Sequence, residues 1–409
     1  MYPFPPVSLS RPGVTRRASF VALCGAAILA ACGGGGGTSS TGTTTTATSA
    51  AYTSGAISGF GSVIVNGVRF DTSHVTVLDD DGTSHPADDL RLGDSVEIES
   101  SSVDASTQTA VASVIRYGSE IKGPLTAVDT ANSRFTLLGQ TVEVSSSTVY
   151  DTALSGGLSS LSAVLGRALE VHAQYDAARQ LYVASRVDLE DSTDSYKLRG
   201  PILALDTTAH TFQMGAATIS YASLNPQPTS LAVNQWVRVK LATTPAADGS
   251  WTALSLKTNE RKLSEDHAEA EVKGNITAWT SATSFSVNDI PVDASSASFP
   301  DGQSGVVLGA QVEIKGSVVN GVLVATSVHL EDGAEQGQGE DYELHGSLSA
   351  LDTMAKTFVL RGVTVSYASV SQWVGLTEAQ LATVAKIEVK GSLSTDGTTL
   401  VASRISMDD

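Results

Sequence analysis

Two cysteines in 409 residues exclude a disulfide-built scaffold and a cysteine-rich zinc centre. No basic cluster is present: Lys and Arg total 25 against 43 Asp and Glu, a formal charge of −18. Nucleic-acid binding is driven by neutralising phosphates, so no nucleic acid is expected as a partner. Charged residues are only 17% of the chain and aromatics 6%; Ser, Thr and Gly fill the difference. The apolar share of 41% still excludes disorder throughout. Neither HExxH nor the G-x-S-x-G nucleophile elbow occurs. No apolar run is long enough to span a bilayer, which takes about 20 residues.

The one clear apolar run, Phe20 to Ala31, has Arg11, Arg16 and Arg17 before it and no acid. A basic flank followed by a short apolar core reads as a secretory signal. It ends in Leu29-Ala30-Ala31-Cys32, which resembles the lipobox of bacterial lipoproteins. The resemblance implies lipidation of Cys32 after cleavage. Several acyl chains there would anchor the protein, since one alone binds only marginally. Gly33 after the cysteine is compatible with the outer membrane of a Gram-negative cell. A soluble secreted protein with an ordinary cleavage site is the alternative, and Arg16-Arg17 partly fits a twin-arginine signal. Residues 1–31 are therefore expected to be the signal and 32–54, rich in Gly, Ser and Thr, a flexible tether.

The rest repeats itself. A glycine opening an alternating apolar run recurs at Gly55, Gly123, Gly200, Gly274 and Gly346. Phe135, Phe212 and Phe358 each lie six places after an Asp of a D-T pair, and Phe285 keeps the aromatic with Trp279 in place of the Asp. Ser-Tyr-Ala-Ser recurs at 220–223 and 366–369, and VASRVDLED, VATSVHLED and VASRISMDD close three repeats. Five units follow: 55–120, 121–195, 196–270, 271–341 and 342–409. Apolar residues alternate with polar ones, as in Val96 and Ile98 around Glu97, so the local period is that of a strand. Asn66-Gly67 predicts a tight hairpin. Leu158–Leu165 and Leu376–Val384 predict short helices, the second opened by a capping box from Thr377 to Gln380. Three strands, a helix or loop, then two strands is the order of an OB-type barrel. The fold class expected is all-β: five tandem small OB-like barrels, some with a short helix between strands three and four. A small sandwich is the rival. Polar stretches at 191–195, 258–270 and 331–341 suit linkers, which leaves open whether the units dock or hang as separate beads.

The GSVIVNGVRFDT opening from Gly61, the G-x-x-V-E-V runs and the L-V-A-S-x-V endings resemble a bacterial envelope family, the domain-of-unknown-function family 5666. The likeness covers residues 55–409 but weakens in the third unit, where Asn234-Gln235-Trp236 replaces a Leu-Gly turn. It implies several β units per chain. It implies no reaction and hence no catalytic residues.

The sharpest chemical cluster is Leu78-Asp79-Asp80-Asp81-Gly82 with Asp88 and Asp89. Asp79, Asp81 and Asp88 fall at positions 3, 5 and 12 of an EF-hand spacing, though Val77 would stand at position 1. A hairpin turn accounts for the same residues. The recurring Glu97, Glu170, Glu313 and Glu388 read as a solvated strand face, and the seven scattered histidines as isolated. Trp236 and Trp279 are candidate sugar platforms, with core packing as the alternative. No catalytic, cofactor or metal residues are assigned, and the protein is expected not to be an enzyme. The expected role is a lipid-anchored envelope spacer or interaction module meeting the membrane through its N-terminal lipid and a protein or polysaccharide partner. The alternative is a carbohydrate- or calcium-binding receptor.

Overall fold

The computed structural model describes residues 51–258, 263, 265–331 and 342–408. Cys32 and the expected signal, residues 1–31, lie outside them. The strand alternation resolves into five closed five-stranded rings. In the first, Ala51–Phe60 pairs antiparallel with Val63–Val65, which pairs with Val68–Asp71. Val68–Asp71 lies parallel to Thr109–Tyr117, and Ser95–Ser100 closes the ring between that strand and the first. Strand order is thus 1-2-3-5-4-1, with one parallel pair between strands three and five, the OB arrangement.

The same circuit closes in the second unit and the fourth. The third and fifth units close it with a first strand broken in two: Tyr196–Pro201 with Ala204–Asp206, and Tyr342–Gly346 with Leu348–Asp352. In every unit the pairing of strands four and five slips once, at Glu99/Ser100, His172/Ala173, Lys240/Leu241, Lys315/Gly316 and Lys390/Gly391. A bulge there bends the strand enough for so small a barrel to close.

The repeated residues have local reasons. The Asn66-Gly67 hairpin has both residues at positive φ, 51° and 81°, as its turn type demands. A Cβ on Gly123 would stand 2.3 Å from Leu138, and one on Gly274 would stand 2.1 Å from Asn288. Leu138 and Asn288 hold the left-handed turn between strands two and three, so the marker glycine makes room for that turn. Phe135, Phe212, Phe285 and Phe358 all enter the barrel cores. Tyr221 and Tyr367 of the Ser-Tyr-Ala-Ser motifs stack on Phe212 and Phe358 at 6.0 and 5.8 Å.

The predicted helices form as 3-10 segments, Gly157–Val164 and Glu378–Ala382. They are too short to gain from α-helical propagation. The Gln380 side chain accepts from the Thr377 N–H at 2.8 Å, as the capping box requires.

The units dock, and not in sequence order. Ala51–Ser54 pairs in parallel with Glu269–Val272 of the fourth unit, and Gly59 and Phe60 pair with Glu343 and Leu344 of the fifth. Units one, four and five thereby share a 19-stranded sheet, and units two and three a 12-stranded one, joined through Ile121 and Lys122 against Leu198 and Lys197. Cores merge accordingly: Phe60, Phe70 and Leu344 belong to one cluster, and Ile121, Phe212 and Trp236 to another. Two boundaries move. Residues 51–54, expected in the tether, are buried strand, because they lie between Ser95–Ser100 and the fourth unit. Likewise the 258–270 stretch gives way at His267, where the fourth unit's first strand already begins.

Candidate functional site

Units one, two, four and five leave a cavity of about 660 Å³ between them. Its walls are the outer, polar faces of the barrels, since the apolar residues turn inward to each core. The fifth unit brings Glu343 to it, and the first brings Arg69. The Arg69 guanidinium donates to both Glu343 carboxylate oxygens, at 2.6 and 2.7 Å. Lys390 at 2.9 Å and His345 Nε2 at 2.7 Å complete the shell of Glu343. Burial pushes this carboxyl up, but the hydrogen bonds from Arg69, His345 and Lys390 outweigh it and hold the group well below the usual carboxylate range. In the second unit Arg179 bridges Asp176 and Glu143, each at 2.6 Å, and Arg134 supports Glu143 at 2.7 Å. The fourth unit contributes Lys273 on Glu331 at 2.8 Å and Glu313 on Lys315 at 3.1 Å.

The charged groups of the cavity are therefore matched pair by pair. Two lining amides are not. Asn275, only 6% exposed, and the half-buried Gln174 make no side-chain hydrogen bond among the described residues. Tyr342 closes one wall, its hydroxyl donating to the Ser147 carbonyl at 3.0 Å.

The Asp79–Asp81 loop is a turn that docks. Asp79 Oδ1 accepts from the backbone N–H of Asp81 and Thr83 at 2.9 and 2.8 Å, and Gly82 takes φ +82°. Asp80 accepts from Lys197 at 2.6 Å and faces Arg238 at 3.5 Å, while Asp81 pairs with Arg238 and Lys240. Asp88 is exposed and lies 3.7 Å from Arg361. The three residues of the calcium spacing thus do not converge: one caps the turn, one is matched by cations of the third unit, and one points elsewhere. Burial opposes ionisation of Asp80, yet Lys197 and Arg238 hold its carboxyl below the ordinary value.

Other expectations divide. Glu170 is not a simple solvated group: it accepts from Ser119 at 2.7 Å and lies within 3.7 Å of Lys197 across the unit boundary. Glu313 and Glu388 are half-buried and paired with lysines. Trp236 is buried, with Tyr175 edge-on at 5.8 Å and Arg199 over its ring at 5.1 Å. Trp279 is 46% exposed and donates its indole N–H to the Val306 carbonyl. It lies apart from the cavity lining.

Ser185, His172 and Asp94 meet where the first unit's 91–95 loop packs on the second. They do not form a triad. Ser185 Oγ donates to the carbonyls of Gly93 and His172, at 2.7 and 3.2 Å. The His172 ring accepts from the Ser95 N–H at 3.2 Å and faces Asp94 at 3.5 Å, leaving no nitrogen for the serine. Desolvation pushes the Asp94 carboxyl up despite His172 and Arg186. Glu343, His345 and Glu388 could present three ligand atoms within 4.8 Å of one another to a metal. An ion there would displace Arg69 or Lys390 from Glu343, so the donor set is already satisfied by cations.

The cavity residues had one overlooked signal. Three places before the marker glycine stand Glu120, Glu271 and Glu343. Glu271 faces Lys315 and Glu343 faces Lys390 in equivalent cross-strand registers. A repeated acid opposite a repeated lysine, on strands one and four, marks the faces that become interfaces.

The profile of the family described as "Domain of unknown function (DUF5666)" matches residues 53–115, 122–188, 273–329 and 345–406. It passes over the third unit, whose sequence departs at Asn234-Gln235-Trp236. No curated protein matches the chain. Among solved structures, "drosophila Unr CSD456" is similar at 14% identity, over 52% of this chain and 97% of that one, with a TM-score of 0.15. So low a score carries no argument about fold or role.

Proposed function

The chain belongs to the DUF5666 family, in four tandem matches, and from that premise we propose a lipid-anchored, non-enzymatic envelope protein whose β units form one recognition module. The observation that carries the reading is the cavity shared by units one, two, four and five, lined by ion pairs already matched. Catalysis by acid and base wants carboxyls poised to exchange protons; a carboxylate fixed by two or three cations holds geometry instead. Out-of-order docking favours a binding body over an extended spacer, because strand pairing between the first unit and the fourth and fifth shortens the array. Anchoring rests on the Leu29-Ala30-Ala31-Cys32 motif.

Two experiments test this. Growth with a labelled fatty acid should mark the wild-type protein and leave Cys32→Ser unlabelled; equal labelling refutes the anchor. Photo-crosslinking in whole cells from a reactive residue at Gln174 should trap a defined envelope component. Trapping nothing above an exposed control such as Met354 refutes the recognition role.

A further inference from the structure

We infer that the central cavity takes a neutral, polyhydroxylated ligand of the saccharide class. This rests on the recognition role proposed above and names the chemistry of its ligand. The first ground is charge. Arg69, Arg179 and Lys273 are each committed to a carboxylate at 2.6 to 2.8 Å. An anionic ligand would have to compete with the two-pronged Arg69–Glu343 contact, which a planar fork holds strongly. A cationic ligand would find Glu343, Glu143 and Asp176 already matched by Arg69, Lys390, Arg134 and Arg179. Neither sign of charge gains what it loses on leaving water.

The second ground is what is left over. Asn275 is more than nine-tenths buried yet lines the cavity without a side-chain partner among the described residues. Its amide atoms are open to the cavity rather than sealed in the protein, so a ligand entering there can reach them. Gln174, half-buried on the second unit, also lines the cavity without a side-chain partner among the described residues. An amide donates and accepts at once, and so does a hydroxyl. The paired carboxylates also keep lone pairs that can accept from hydroxyls without giving up their cations. The cavity volume of about 660 Å³ lies within the roughly 300–1,000 Å³ span of small-molecule sites. Most such sites are apolar. This one offers amides and serine hydroxyls instead, a wall that discriminates for polar solutes.

The test is calorimetry on the full chain with four probes of neutral sugar (maltose, cellobiose, chitobiose and lactose) and two charged ones, citrate and spermidine. The inference predicts that at least one neutral sugar binds at one site per chain. Asn275→Leu should weaken it about tenfold or more, the loss of one good hydrogen bond, while the melting temperature changes little. Gln174→Leu, at a less buried position, provides the same readout if Asn275→Leu fails to fold. Sugar binding unaffected by both variants overturns the site. Citrate or spermidine binding with no sugar overturns the ligand class and leaves the recognition role standing. Silence from all six probes overturns the ligand class as well; the crosslinking result above then decides separately whether the recognition role survives.

Discussion

Arg69 and Glu343 stand 274 positions apart and meet through two hydrogen bonds of 2.6 and 2.7 Å. The pair fastens the first unit to the last beside the strand contact of Phe60 with Leu344. Glu343→Gln should cost about 2 kcal/mol: Arg69 and Lys390 lose a buried anion, but both are about a third exposed and water screens the loss. A double-mutant cycle with Arg69→Met should return a coupling of about 1 kcal/mol. Additive effects in denaturant titrations would deny the contact.

The same carboxyl sets an acid limit. Its folded pKa lies below the ordinary value, as does that of Asp80. Such groups add stability above their unfolded pKa, about 4, and lose it as the pH falls through the folded one. Melting temperature should therefore decline from about pH 5 downward. Glu343→Gln should flatten the decline, and a profile parallel to wild type would count against the assignment.

Asp80→Asn should loosen the first unit from the third, because Lys197 is then left buried without its nearest anion. A loss of about 1–3 kcal/mol is expected. Millimolar calcium should leave the melting temperature of the wild type unchanged, since Asp79, Asp81 and Asp88 have other partners. A rise of several degrees that Asp79→Asn abolishes would restore the metal reading.

Much of each barrel was legible because its cause is local. Alternation around Glu97 or Glu313 reports one face in and one out, and Asn66-Gly67 dictates its turn whatever lies beyond. Of the five marker glycines, Gly55, Gly123 and Gly274 recur because each makes room for the turn between strands two and three of its unit. Docking was not legible. Nothing near Asp80 announces Lys197, 117 positions on. The Asp79–Asp81 stretch read as turn or metal loop, and its third use, as a plug for a basic face, needs the other unit's coordinates. Residues 51–54 carry too few large apolar side chains to register as strand; they are buried by two partner strands rather than by their own pattern. The cavity arises only where four units meet, so Asn275 and Gln174 had no sequence signal of their own.

Each core should respond to its own phenylalanine. Phe135 and Phe358 are both 1% exposed, one in each of the two merged cores. Truncation to alanine should cost about 3–5 kcal/mol at either site. Because core clusters join units in pairs, Phe358→Ala should raise hydrogen exchange in the first unit as well as the fifth. Exchange confined to the fifth unit would show the merged core to be nominal.

Small-angle scattering on the Cys32→Ser protein bears most directly on the docked arrangement. The unit Ala47–Asp409 should give a radius of gyration near that of one compact body of its length, about 21 Å. Five barrels strung end to end would give a clearly larger radius and a long, rod-like distance distribution, and that result would contradict the account.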